Sequence, residues 1–378
     1  MNTVNRIKQI NTFGQSVWLD YLSRSLIESG MLRQLIEEDG ISGVTTNPAI
    51  FEKAVTAGTV YDNAIRAMAR QGKPAEAIYR TLAVQDVTAA ADILYSVYES
   101  TDHRDGYVSI EVSPHLAYDT AGTVREARAL WKELDRPNVL IKVPGTEAGL
   151  PAIRQLIRDG INVNVTLLFG LDRYRQVTGA WLTGLEERLA AGDTLRQLPV
   201  SVASLFLSRI DTLVDSLLES RQANVPMDEG EVQQLSGKAA VATARLAYHE
   251  YQTMVSSDRF RSLAKQGGRP QHLLWASTGT KNPAYEDTCY VDPLIGPETI
   301  TTLPMETIDA YRDHGRPEVR LTVDGKEAEA VITGIRLLTI DLQNVAKQLE
   351  DEGVRKFITA HDQLVNSIET ICSEVSRQ

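Results

Sequence analysis

Short apolar or threonine-rich runs alternate with longer amphipathic segments along almost the whole chain, and this alternation restricts the fold more than any other feature. Repeated strand–helix units leave that rhythm, and it selects a parallel sheet with helices packed on it. Eight runs read as strands, near Ser16–Asp20, Gly43–Thr46, Tyr107–Val112, Val139–Val143, Val163–Leu168, Val200–Leu205, His272–Ser277 and Thr299–Leu303. The spacing predicts helices over Ser23–Glu38, Val60–Arg70, Pro74–Ser100, Thr123–Leu134, Ala148–Arg158, Leu171–Ala190 and Arg209–Glu219. Eight units point to a closed (β/α)8 TIM barrel of the α/β class. An open doubly wound sheet competes, but it would be expected to carry a glycine-rich nucleotide turn after its first strand, and neither G-x-G-x-x-G nor G-x-x-x-x-G-K-[ST] occurs.

At 378 residues the chain is long enough for two or three domains, yet one barrel with insertions also fits. The intervals Phe51–Gly106 and Ser208–Gln271 exceed one helix each and are expected to hold extra ones, among them the acidic, then alanine-rich segment Asp228–Met254. Pro317–Lys326 reads as a connecting turn, and Glu327–Val375 carries helical apolar spacing. The expected organisation is a catalytic barrel over residues 1–316 and a helical extension over 317–378, packed across or beside it as part of the same domain.

Lys142 sits inside the apolar run Val139-Leu140-Ile141-Lys142-Val143, which Pro144-Gly145 ends. An ammonium in a strand covered on both faces needs a partner, a polar cavity or a lowered pKa. Desolvation favours the neutral amine, the form able to make a Schiff base with a carbonyl. Read alone, such a lysine better fits a strand end reaching solvent or a carboxylate. Neighbouring strands bear on the choice, because residues two apart share a face. Ser109, Glu111 and Ser113 oppose Val108, Ile110 and Val112, while Asn162, Asn164 and Thr166 oppose Val163, Val165 and Leu167. In a barrel the polar parity points inward and its top layer faces the mouth at the strands' C-terminal ends. Asp20, Asn47, Ser204, Phe206 and Ser277 end or follow other strands. A lysine, two carboxylates, two amides and three hydroxyls would then converge on one cup.

A formal charge of −11, from 39 basic and 50 acidic residues without a long basic run, argues against nucleic acid or an anionic membrane as partner. Cys289 and Cys372 lie far apart and have no metal-ligand spacing, which suits a reducing compartment. The first residues lack a continuous apolar core and no uncharged run reaches the ~18 residues of a membrane span, so a soluble cytoplasmic protein is expected. Six scattered histidines without H-E-x-x-H give no reason to expect a metal, and the absence of G-x-S-x-G argues against an α/β-hydrolase.

The stretches Gly43–Phe51, Ser109–Pro114, Leu140–Thr146, Asn162–Phe169 and Ala276–Asn282 together resemble the transaldolase family, in its longer bacterial branch of Schiff-base aldolases. The likeness runs from about Trp18 to Leu303, and the stretch after Pro317 adds little to it. It implies a circularly permuted (β/α)8 barrel, no cofactor, and sugar phosphates as partners. It also implies that Lys142 forms the Schiff base, Asp20 is the base at the C4 hydroxyl, and Glu111 and Thr166 hold a proton-shuttling water with Asn164 nearby. Asn47, Asn164 and Ser204 would bind the dihydroxyacetone hydroxyls, supported by Thr45. Arg209, one turn past the sixth strand, would take the phosphate bidentately. Other members carry a second arginine after the seventh strand; this chain has Ser277-Thr278-Gly279-Thr280-Lys281, so Ser277 and Lys281 take that place.

A free fructose-6-phosphate aldolase of the same superfamily is the nearest rival. In that branch a glutamine replaces the glutamate and a tyrosine the phenylalanine, whereas this chain has Glu111 and Phe206. A barrel that only binds sugar phosphates is expected to have lost Lys142 or Asp20, and both are present.

Overall fold

The computed structural model describes residues 5–56, 58–192, 198–224, 229–321 and 325–376. Eight parallel strands close into a barrel in sequence order: β1 (Gln15–Leu19), β2 (Gly43–Val44), β3 (Tyr107–Glu111), β4 (Val139–Pro144), β5 (Val163–Leu168), β6 (Ser201–Phe206), β7 (His272–Ala276) and β8 (Thr299–Leu303), with β8 pairing back onto β1. Val108, Ile110, Ile141, Val143, Val163 and Val165 are buried at 3 % exposure or less. The other parity fills the barrel. Asn164 donates to Ser109 Oγ at 3.0 Å from two strands away, a contact that only the inside of a curved sheet allows. Gly43 also faces inward, since a Cβ there would meet the Trp18 indole at 2.5 Å.

The interval after β2 holds helices Pro48–Thr56, Asp62–Arg70 and Ala75–Ser100; that after β6 holds Ser208–Asn224, Glu229–Leu235, Ala239–Val255 and Asp258–Ala264. Asp228 lies outside the described residues, as do Thr322 to Asp324 of the expected turn. Ser23–Glu38, expected as one helix, is broken. Gly30 adopts φ +80° between Arg24–Glu28 and Met31–Gln34, and a π-helical turn, Leu35–Asp39, follows. A left-handed residue cannot continue a right-handed helix, and glycine enters that conformation at little cost. The helix expected from Thr123 starts earlier, at Thr120, because the Asp119 side chain accepts from Gly122 N.

After β8 come helices Met305–His314, Lys326–Leu337 and Leu342–Ser376. The last crosses the C-terminal end of the barrel. A Cβ on its Gly353 would sit 2.9 Å from Leu167 and 3.6 Å from Arg209, so the absence of a side chain there permits the close approach.

Candidate active site

Register sets the centre of the site. Glu111, Lys142 and Asn164 are side-by-side partners on β3, β4 and β5, so three inward side chains form one row across the barrel. Lys142 Nζ lies 2.6 Å from Glu111 Oε1 and donates to the Thr46 carbonyl at 2.7 Å. Both side chains are at most 8 % exposed. The lysine thus has a partner, as an ion in a strand interior requires. Burial pushes the Glu111 carboxyl up from its ordinary range, Lys142 opposes this, and Asp20 adds to it. Beneath the pair, Ser204 donates to Asn164 Oδ1 at 2.7 Å, which fixes the amide that also donates to Ser109.

Above this row opens a cavity of about 610 Å³ bordered by Lys142, Asp20, Thr45, Asn47, Ser204, Phe206, Arg209, Ser277 and Lys281. Burial raises the Asp20 pKa; Lys142, the Thr45 hydrogen bond and Lys281 pull it down, while Glu306 pushes it up. Thr45 Oγ1 touches Asp20 Oδ1 at 2.8 Å and Thr302 Oγ1 at 2.7 Å, which orients the carboxylate. Asn47 Oδ1 accepts from Ile50 N at the start of Pro48–Thr56, leaving the amide protons for the cavity. Glu111 and Thr166 border a separate space of about 10 Å³, room for about one water molecule. Thr166 Oγ1 is buried without a hydrogen-bond partner among the described residues, and Glu111 Oε1 has no partner there besides Lys142 Nζ. A bulge between Val165 and Leu168, with Leu167 at φ +61°, sets Thr166 at this position. For a branched side chain that conformation is costly, and such strain gathers at functional sites.

Arg209 lies in the first turn of Ser208–Asn224. Its Cζ is 5.5 Å from the Phe206 ring centre, and its Nη1 is buried without a hydrogen-bond partner among the described residues. Burial lowers its pKa, with Glu352 and Asp20 opposing. A guanidinium held this way is suited to an anion. Ser277 stands close by, its hydroxyl 2.8 Å from Ser208 Oγ and its backbone at φ +54°.

Sequence reasoning missed Lys53 and Lys356, two exposed cations at the cavity edge, together with Phe357 and Glu306. Lys53 follows Asn47 by less than two helical turns, and that proximity was its one signal. Lys356 and Phe357 belong to the C-terminal helix, whose path over the mouth no local pattern encodes. Among the described residues no group of three or more His, Cys, Asp or Glu could hold a metal ion.

The family model described as transaldolase/fructose-6-phosphate aldolase matches residues 17–368. The chain belongs to this family. It is 46 % identical over 371 residues to transaldolase 2 of Nostoc sp., covering 97 % of each chain. It is 47 % identical over 365 residues to the transaldolase of Thiobacillus denitrificans, covering 97 % of this chain and 100 % of that one. With the transaldolase of Mycobacterium bovis it shares 46 % identity over 361 residues and 94 % of each chain. These likenesses support an enzyme with transaldolase activity.

Proposed function

We propose that this chain moves a dihydroxyacetone unit from a ketose phosphate, sedoheptulose 7-phosphate or fructose 6-phosphate, to an aldose phosphate, glyceraldehyde 3-phosphate or erythrose 4-phosphate, through a Schiff base on Lys142. The reading sets the reaction in the cytoplasm, in the non-oxidative pentose phosphate pathway; among the described residues no helix is long and apolar enough to cross a membrane. One observation carries it: the ion pair of Lys142 with Glu111 at the floor of a cavity whose wall holds Arg209.

Glu111, made more basic by burial, takes a proton from Nζ across 2.6 Å and frees the nucleophilic amine. The amine attacks C2 of the ketose. The carbinolamine hydroxyl then receives a proton through the space shared by Glu111 and Thr166 and leaves as water. Asp20, also raised by burial, accepts the C4 hydroxyl proton as C3–C4 breaks into the iminium. Asn47 and Ser204, on the cup wall, hold the dihydroxyacetone unit, with Asn164 behind Ser204 completing the set, and Arg209, with Ser277 and Lys281, holds the phosphate. Glu111 and Phe206 stand where the free aldolase branch has glutamine and tyrosine, which favours transfer over release. The test is intact mass after borohydride treatment with fructose 6-phosphate: one reduced dihydroxyacetone adduct is expected, mapped to Lys142. An adduct elsewhere, or none, would refute the assignment.

A further inference from the structure

A second cavity lies on the side of Glu111 away from the cup. It holds about 470 Å³ between β3 and the helices Ala75–Ser100, Thr120–Leu134 and Leu342–Ser376. Glu111 closes its inner end; Tyr79, Glu126 and His361 line it; Glu76, with a side chain 56 % exposed, stands at its outer end. Its wall is mixed: these five polar side chains run from the inner to the outer end among apolar neighbours such as Ala83, Ile110 and Leu130. His361 Nε2 meets Glu76 Oε2 at 3.1 Å, while its buried Nδ1 has no hydrogen-bond partner among the described residues. The cavity shares Glu111, Val112 and Pro114 with the water-sized space beside Thr166. Lys142 borders the cup, so the Lys142–Glu111 pair stands between the two compartments.

Schiff-base formation gives this layout a use. The Lys142 ammonium and the C2 carbonyl yield an iminium and one water: the Nζ–C2 bond forms, the C2–O bond breaks, two Nζ protons leave on the oxygen, and net charge is unchanged. The water appears at the floor of the cup beneath the bound sugar phosphate, under a helix that crosses the mouth. Hydrolysis of the product imine needs a water at the same place. We propose that the cavity behind Glu111 is the route by which this water exchanges with solvent while the cup is occupied. The proposal rests on the Schiff-base reading above. Water in a space of this size needs polar partners, and Glu111, Tyr79, Glu126, His361 and Glu76 supply them from one end to the other.

The test uses an Asp20→Asn background, in which the carboxylate assigned to C3–C4 cleavage is removed and the ketose keeps the cup filled. Fructose 6-phosphate is incubated in heavy-oxygen water, and label entering C2 of the recovered sugar is measured above the enzyme-free rate. Borohydride trapping in parallel gives the imine. Ala77→Leu, on the cavity wall and half-buried, narrows the route without touching the cup. Label entry per trapped imine is expected to fall several-fold, with the amount of imine unchanged. Glu126→Met, which keeps the volume and removes a wall carboxylate, is expected to lower it less, and decides the matter if Ala77→Leu does not melt cooperatively. An adduct with unchanged label entry in the folded variants would overturn the route alone. An absent adduct in the background would overturn the Schiff-base reading, and the route with it.

Discussion

The two ends of the barrel use buried polar residues in opposite ways. At the N-terminal end, amides tie strand entrances together. Gln15 donates to the Leu294 carbonyl and Thr299 Oγ1, Asn138 to the Ala91 and Gly106 carbonyls, and Asn162 to the Pro137 and Val139 carbonyls while accepting from Val200 N. Among the described residues, what stays unmatched there is uncharged: the amide oxygens of Asn11, Gln15, Asn138 and Gln271. At the C-terminal end, among the described residues, Arg209 Nη1, Thr166 Oγ1 and His361 Nδ1 are buried without a hydrogen-bond partner, and Glu111 Oε1 meets only Lys142 Nζ. Burying a charged group such as the Arg209 guanidinium with a donor unpaired costs more than burying a neutral amide oxygen, and such a cost persists where a ligand or a reaction uses it. One end closes the barrel; the other is left open for chemistry.

The largest effect that would break this contrast concerns Lys142. Lys142→Ala should abolish transfer and adduct formation and leave the melting transition cooperative; trapping a full adduct in that variant would move the nucleophile elsewhere. Next is Glu111→Gln, which keeps the shape but removes the proton acceptor 2.6 Å from Nζ. It should slow imine formation by about a hundred- to ten-thousand-fold. A rise in KM with kcat unchanged would make it a binding group. Arg209→Ala should lose about 1.5–3 kcal/mol, roughly ten- to a hundred-fold in kcat/KM, on phosphorylated donors, and little on free dihydroxyacetone. Equal losses on both would show that the arginine orders the barrel rim.

The electrostatics of Asp20 give a smaller, signed effect. Its pKa is raised by burial, so the carboxylate is regained only above the usual aspartate range, and activity should rise with pH through that raised value. Lys281 pulls the pKa down and Glu306 pushes it up. Lys281→Met should therefore move the acid limb of kcat to higher pH and Glu306→Gln to lower pH. Shifts in the same direction would show that neither charge acts on Asp20. For stability the sign is reversed. A carboxyl raised on folding contributes fully below the unfolded pKa, and the contribution is lost as pH rises through the folded one. Asp211, pushed up to about 7 chiefly by burial, should give a fall in stability between pH ~4 and ~7 that Asp211→Asn removes.

Much of this was legible in the sequence, for identifiable reasons. Strand positions followed from apolar periodicity, and the inward set from parity: Lys142, Glu111, Asn164 and Ser204 share the barrel interior as their spacing required. Parity does not tell height. Asn162 shares a face pattern with Asn164 and Thr166, yet it anchors the entrances of β4, β5 and β6 rather than the cup. The long terminal helix was legible as a helix, but its docking over the mouth depends on Gly353 meeting Leu167 and Arg209, residues far away in sequence. Lys356 therefore carried no readable signal. The break at Gly30 was obscured because helical spacing continues on both sides of it.

The smallest effect on chemistry should come from the closed end, and it tests the other half of the contrast. Asn138 is fully buried just before β4, and its amide donates to the Ala91 carbonyl of helix Ala75–Ser100 and to the Gly106 carbonyl before β3, both at 2.9 Å. Asn138→Ala removes the shared donor from two buried acceptors, which typically costs about 1–3 kcal/mol. Denaturant unfolding should show that loss as a lower midpoint with an unchanged slope. Transfer kinetics should stay as they were, because β4 presents Lys142 from its far end and the Lys142–Glu111 register is held by the β3–β4 pairing itself. A fall in kcat comparable to that of Glu111→Gln, without loss of stability, would mean that the strand entrance positions the lysine. The two ends would then be one mechanical unit, and the contrast drawn between them would fail.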